Sequence, residues 1–434
     1  MHSTRRFFLR AAAVAGSALA LPSCSTRAPR QKKRHDEKLN LLVIGVGGRG
    51  AGNLEGVRGE NLVALCDIDR QQLVKTGKAF PDAQQFVDFR RALEMPGLDG
   101  VVISTPDHTH YPAAMMALSR GLDVYCEKPL THTVMQARCL QVAAKSVGAV
   151  TQMGTQIHAN ANYHRVVEAI RAGVIGDVER VHVFVGATDW SGKGLPKVEP
   201  VPAHVEWDLW LGPVKAREYS SAYHPAGWRR YWAFGGGTTA DMSCHFTDLP
   251  FWALELDAPA ELRADGPEPD SEGAPRSLAC EYVYPARGNR KEVRLRWSCG
   301  DLIPKEELEK RGLASWRNGV LFVGSKGWLI SDYVKHEIGP KESFVGYVPP
   351  KQTLTPSPGH HREWILACKD RKQPSCTFDY AAPLTEAVLL SNVAFRGARG
   401  KTLRWDAARM ALSGEGSAMA QDLLDLPLRD GWEC

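Results

Sequence analysis

The stretch LNLLVIGVGGRGAGNL, residues 39 to 54, limits the fold more than any other part of this chain. An apolar run leads into Gly45-Val46-Gly47-Gly48-Arg49-Gly50. In such a loop the first glycine permits a tight turn and the second lets the backbone approach a pyrophosphate. The third lets the next helix pack on the strand with its N-terminus aimed at the phosphates. A second apolar run, NLVALCDID, ends in Asp67, at the distance expected of an acid that binds the adenosine ribose. A carboxylate there accepts the ribose hydroxyls and repels a 2′-phosphate, so NAD is expected rather than NADP. Arg70 is the one neighbour that speaks for NADP.

Strand-like and helix-like segments then alternate. DGVVISTP and LDVYCEKP read as strands buried on both faces, followed by the helical patterns HYPAAMMALSRG and MQARCLQVAAKSVG, and then by the strand AVTQMGTQ. The expected class is α/β, with a doubly wound parallel sheet over residues 39–157. Ligands in such sheets bind beyond the carboxyl ends of the strands. Gly45, Asp67, Thr105 with Pro106, Glu127 with Lys128, and Gln156 all fall there.

A chain of 434 residues with 44% apolar residues can bury two cores, so a second domain is expected over 158–434. The net charge of +5 is unevenly spread: residues 1–38 carry +7, which leaves −2 for the rest. A nucleic-acid surface is therefore not expected in the body. Residues 1–24 join Arg5-Arg6 to an apolar run and small residues, the pattern of a twin-arginine export signal. LPSC ending at Cys24 reads either as a lipoprotein cleavage box, which would anchor the chain to a membrane, or as a chance cysteine. Residues 25–38 read as a basic tether that needs no structure. The ten cysteines include no CxxC pair, and Cys66, Cys126 and Cys280 sit in apolar runs, so they are expected to be buried thiols.

The glycine loop, STPDHTH at 104–110, EKP at 127–129, GTQIHANANYHRVVEAIRAGVIGDVERV from Gly154 and GGGTTADMSCH from Gly235 together resemble the Gfo/Idh/MocA oxidoreductases. The resemblance implies an N-terminal Rossmann domain and a C-terminal α+β domain with a large open mixed or antiparallel sheet. That sheet often builds a subunit interface, so a dimer or tetramer is expected. It also implies catalytic roles for Lys128, Asp241 and His245, and cofactor contacts from Gly45, Gly47, Gly48, Arg49, Gly50, Asp67, Thr105, Pro106, His110, Glu127, Lys128 and Gln156. A late helix, about 378–397, would pack back on the first domain.

Oxidising a secondary alcohol needs a base within hydrogen-bond reach of its hydroxyl. His245 has the right unperturbed pKa. Asp241 would accept from the imidazole or hold a substrate hydroxyl, and Lys128 would stabilise charge on the reacting oxygen. Asp241 and His245 are four residues apart, which on a helix puts them on one face. Thr238 or Thr239 is a candidate cap. His158, Tyr163, His164, Trp228 and Arg229 are expected at the substrate edge, while Trp207 and Trp210 read as structural and His360 and His361 as weaker candidates. No metal site is expected.

These features point to an exported oxidoreductase acting on a carbohydrate hydroxyl. Free NAD is scarce outside the cytoplasm, so the cofactor would be held tightly and the protein would reside in the periplasm or cell envelope. A redox glycosidase cycle on the same scaffold is the second expectation, and a non-catalytic carbohydrate-binding protein the third.

Overall fold

The structure is a computed structural model that describes residues 31–432. The expected leader, the cleavage site at Cys24 and the first six residues of the tether lie outside the described residues. From Lys33 onward the chain forms one unit.

The first layer is a six-stranded, all-parallel sheet in the order β3-β2-β1-β4-β5-β6. Its strands are β1 (Asn40–Ile44), β2 (Asn61–Cys66), β3 (Gln84–Phe86), β4 (Gly100–Ile103), β5 (Asp123–Glu127) and β6 (Thr151–Gly154). The helices between them are α1 (Arg49–Gly56), α2 (Arg70–Gly77), α3 (Phe89–Ala92), α4 (Asp107–Ser119) and α5 (Val134–Val147). β4 and β5 are buried at every position, as strands covered on both faces must be. Strand order reverses between β1 and β4, and a crevice opens there at the carboxyl ends.

The second layer is a nine-stranded sheet in the order β13-β12-β11-β7-β10-β9-β8-β14-β15. Its strands are β7 (Val178–Val185), β8 (Glu261–Asp265), β9 (Leu278–Tyr284), β10 (Val293–Cys299), β11 (Asn318–Gly324), β12 (Trp328–Ser331), β13 (His336–Gly339), β14 (Leu403–Asp406) and β15 (Ala411–Ser413). Only the β7–β10 pair is parallel. Its helices are α6 (Ala161–Arg171), α7 (Trp207–Leu211), α8 (Gly237–Ala253), α9 (Lys305–Glu309), α10 (His360–Asp370), α11 (Phe378–Ala398) and α12 (Ser417–Asp422).

Period-two burial explains which face of this sheet is covered. In β10, Val293, Leu295, Trp297 and Cys299 are buried, alternating with Arg294 and Arg296 on the other face. The buried set joins the core that α8 and α11 share with the first domain. α11 also lies against α5, where Arg138 makes a two-pronged pair with Glu386 at 2.8 Å. The stretch from Leu262 to Ala279 reads as a loop from its Pro, Gly and acidic content; its two ends belong to β8 and β9, and it is irregular only between Asp265 and Leu278.

Two expectations need correction. The tether is not free of structure near its end: the Lys33 amide donates to the Lys369 carbonyl (3.0 Å), and Lys33 Nζ reaches Asp99 Oδ2 (2.5 Å). Neither Thr238 nor Thr239 caps α8, because the helix starts one residue before them with Gly236 as its cap. Thr238 instead accepts from the Trp190 amide and Thr239 from the Trp297 indole. The eight cysteines of the described residues are free thiols, and Cys66, Cys126 and Cys280 are buried. No helix of the described residues is long and apolar enough to cross a membrane.

Candidate active site

A cleft of about 900 Å³ runs along the carboxyl ends of β1, β2, β4 and β5. Gly45, Gly47, Gly48 and Arg49 line it, with Asp67, Thr105, Pro106, Glu127, Lys128 and Gln156 from the first domain. Trp228, Arg229, Asp241 and His245 line it from the second.

The glycine loop fits a dinucleotide on steric grounds. A Cβ on Gly50 would fall 1.9 Å from the Gly45 carbonyl oxygen, so α1 comes as close to the turn as only glycine allows. Gly48 has φ of 50°, and a Cβ there would meet nothing within 4 Å, which leaves open space for a pyrophosphate. The Asp67 carboxylate is oriented by the amides of Val46 (2.9 Å) and Asp69 (3.0 Å). Burial raises its pKa, and the amide hydrogen bonds oppose that rise. The Thr105 hydroxyl is buried without a partner, a spare group for a ligand.

Beneath the cleft, Glu127 Oε1 accepts from Arg49 Nε (3.1 Å), Asn53 Nδ2 (2.8 Å) and Gln156 Nε2 (2.7 Å). Gln156 also donates to the Tyr125 hydroxyl, and His361 bonds the Asn53 side-chain oxygen Oδ1 while stacking on Tyr125. A carboxylate this buried requires such donors. Their effect is to fix the strand end that carries Lys128.

At the reacting end, the Lys128–Pro129 peptide is cis. Lys128 Nζ donates to Asp241 Oδ1 (2.7 Å) and to the Asp241 carbonyl (2.6 Å). Asp241 also accepts from Trp190 Nε1 at Oδ2 (2.8 Å) and from Arg229 Nε at Oδ1 (3.3 Å). Burial would raise the Asp241 pKa, but Lys128 and Arg229 outweigh it and hold the carboxyl well below the usual range. Burial would likewise lower the Lys128 pKa, yet Asp241 and Asp107 raise it above its ordinary value. His245 is pushed down to about 3 by burial and then by the Lys128 charge, so its imidazole is neutral across the physiological range. Its Nδ1 is buried without a partner.

Asp241 and His245 share one face of α8, but Asp241 does not accept from the imidazole; its oxygens are taken by Lys128, Arg229 and Trp190. Trp228 belongs to an aromatic cluster with Trp210, Tyr223, Tyr231 and Phe234, and Arg229 lies over its ring at 4.2 Å. Trp207 and Trp210 stack at 4.6 Å within that packing.

Five of these candidates lie outside the cleft lining. His110 sits on the inner side of α4 with its ring nitrogens against the carbonyls of Pro129 (2.8 Å) and Thr105 (2.9 Å). His158 pairs through Nδ1 with Asp248 (2.9 Å) and stacks on Trp252. Tyr163 donates to the His245 carbonyl (3.0 Å), and His164 meets the edge of Trp252. The segment after β6 turns into the interface with α8, so these side chains pack behind the helix rather than in front of it. Gly50 is buried beneath the loop instead of lining it.

Sequence reasoning missed Asp107, Trp190 and the segment 200–206. Asp107 opens α4, lines the cleft and is 5% exposed; burial raises its carboxyl to about 7, against the pull of Lys128 and Arg229. Its place directly after Thr105-Pro106 was the available signal. Nothing in the sequence marks Trp190.

A model for "Oxidoreductase family, NAD-binding Rossmann fold" matches residues 39–155, and one for "Oxidoreductase family, C-terminal alpha/beta domain" matches residues 161–287. The chain belongs to the Gfo/Idh/MocA family. Inositol 2-dehydrogenase 1 of Saccharopolyspora erythraea is 33% identical over 148 residues, 32% of this chain and 43% of that protein. A glycosyl hydrolase family 109 protein of Stenotrophomonas maltophilia is 31% identical over 196 residues, 42% of this chain and 41% of that one. The chain thus matches less than half the length of these curated relatives. Among solved structures, the WlbA dehydrogenase of Chromobacterium violaceum, in complex with NADH and UDP-GlcNAcA, shares the fold. Its TM-score is 0.62 at 16% identity, covering 88% of this chain and 99% of that one. The aldose-aldose oxidoreductase of Caulobacter crescentus aligns with a TM-score of 0.56 at 16% identity, covering 85% of this chain and 100% of that one.

Proposed function

We propose that this chain is an exported oxidoreductase that moves a hydride between a secondary hydroxyl of a sugar, polyol or glycoside and an NAD it does not release. The observation that carries the reading is the meeting of Lys128, Asp241 and His245 in a cleft that also holds the glycine loop and Asp67. The inositol dehydrogenase relatives support a polyhydroxy substrate. The arginine pair in the leader supports export of a folded, loaded protein, with residence in the periplasm or cell envelope. A lipid anchor at Cys24 and a homo-oligomer built on the large sheet belong to the same reading.

When bound, NAD supplies the hydride acceptor. Gly47, Gly48 and Arg49 would hold its phosphates, Asp67 its ribose, and Thr105 and Glu127 the approach to the reacting end. Lys128 donates a hydrogen bond to the substrate oxygen and stabilises it as the hydroxyl proton leaves. His245, neutral and with an unpartnered nitrogen, takes that proton. Asp241 holds Lys128 charged and aimed at the substrate.

A redox glycosidase is the second reading, favoured by the glycosyl hydrolase family 109 relative. There the carbon-3 hydroxyl is oxidised, the carbon-2 proton and the leaving group depart, water adds, and the hydride returns. One experiment separates the two. The folded protein is purified without added NAD, tested by absorbance and mass for a retained nucleotide, and offered glycosides with and without a second sugar as hydride acceptor. A ketone product supports the dehydrogenase. Free sugar with a released leaving group supports the glycosidase. A protein that neither retains NAD nor binds it when added would overturn both.

A further inference from the structure

Arg70 is the residue that most nearly argues for NADP, since an arginine beside the acid of β2 is what accommodates a 2′-phosphate in Rossmann domains. It stands three residues after Asp67 as the first residue of α2. Asp69 and Gln72 of the same turn line the cleft, whereas Arg70 does not. It is turned toward the second domain, where Glu206 Oε1 lies 2.9 Å from its Nε and 2.6 Å from its Nη2.

Both partners are at least one-third exposed, and an exposed ion pair alone would not hold an arginine in place. The backbone supplies the fixation. The Arg70 amide donates to the His204 carbonyl (2.9 Å), the Glu206 amide donates to the Ile68 carbonyl (3.0 Å), and Asp69 pairs with Val205 as an antiparallel bridge. Residues 204–206 therefore lie as a short strand along the β2–α2 turn, and the Glu206 carboxylate is delivered to the Arg70 guanidinium by that pairing. His204 and Val205 line the same end of the cleft as Asp67 and Asp69.

We propose that Glu206, a residue of the second domain, is a specificity-determining residue of the first: it holds Arg70 off the adenosine 2′ position and so enforces NAD over NADP. The inference rests on the NAD assignment but not on the identity of the substrate. With Arg70 neutralised, the Asp67 carboxylate is the group that faces a 2′-phosphate. With Arg70 released, a two-pronged guanidinium–phosphate contact becomes available to oppose it.

The test is binding, not turnover. NAD and NADP are titrated by calorimetry into the nucleotide-free full chain, its Glu206→Ala variant and the Glu206→Ala/Arg70→Ala double variant. Glu206→Ala is expected to tighten NADP by about tenfold or more while NAD changes by less than about threefold, and the double variant to lose the gain. Unchanged NADP affinity in Glu206→Ala would overturn the proposal, as would a gain that survives removal of Arg70. Parallel weakening of both nucleotides would also overturn it, and would assign Glu206 to fastening this segment alone. An unmodified chain that binds neither nucleotide would overturn the cofactor assignment, and this inference with it.

Discussion

Lys128 and Asp241 stand 113 residues apart in the chain, yet their contact sets the charge of the whole reacting end. Lys128 stays protonated and Asp241 ionised, so neither is free to take a proton at neutral pH, and His245 is the neutral group beside them. Lys128→Met is expected to keep nucleotide binding and to lower turnover by about 10²–10⁴-fold. Titrating nucleotide and measuring single turnovers checks both halves, and near-normal rates would remove Lys128 from the mechanism. Asp107 offers a second check through pH. Its folded pKa of about 7 lies above that of an unfolded aspartate. The folded state therefore binds the extra proton, and that stabilisation is full at low pH and is lost as pH rises through the folded pKa. Asp107→Asn removes the dependence. Relative to the unmodified protein, the variant should gain up to about 4 kcal/mol between pH 4 and pH 8, read from urea midpoints. Stability curves that stay parallel over that range would show that Asp107 ionises normally.

At the scale of elements, the glycine loop makes two different demands. Gly50→Ala puts a methyl group onto the Gly45 carbonyl and must drive α1 away from β1, so nucleotide affinity should fall by at least about tenfold. Gly48→Ala meets no atom and costs only its backbone conformation, about 1–3 kcal/mol. Measuring the nucleotide Kd for the pair separates crowding from conformation; equal losses would refute the distinction. The order of strands and helices around this loop was legible because apolar runs, glycine stops and the proline after Lys128 are local signals. The four-residue spacing of Asp241 and His245 was legible for the same reason. Asp107 was passed over because a carboxylate at a helix start reads equally well as a solvated first-turn residue. His158, Tyr163 and His164 were misplaced because the turn after β6 decides which side of α8 they meet, and no periodicity records that turn. The contacts of Trp190 and Glu206 lie in an irregular segment, where side-chain direction follows only from the docked backbone.

Across the whole molecule, α10 fastens the late chain to the first domain. Lys369, 2% exposed at its side chain, binds Glu60 at 2.9 Å, and Glu60 also accepts the Leu39 amide at the foot of β1. Lys369→Met leaves the buried Glu60 with only the more exposed Arg362, 3.8 Å away, as a cation and should cost up to about 3–5 kcal/mol, measurable by chemical unfolding. Adding Glu60→Gln should restore part of that loss, and a double variant no better than the single would show that the pair is not the cause. Between these anchors, the chain from Val185 to Gly237 runs over the cleft with little regular structure. Its Val205 pairs with Asp69 at the adenosine end, its Trp190 holds Asp241 at the reacting end, and its last residues become the helix that carries His245. One length of backbone thus touches both ends of the nucleotide site. A substitution that loosens this segment at the adenosine end would therefore also be felt by the groups around Asp241 at the other.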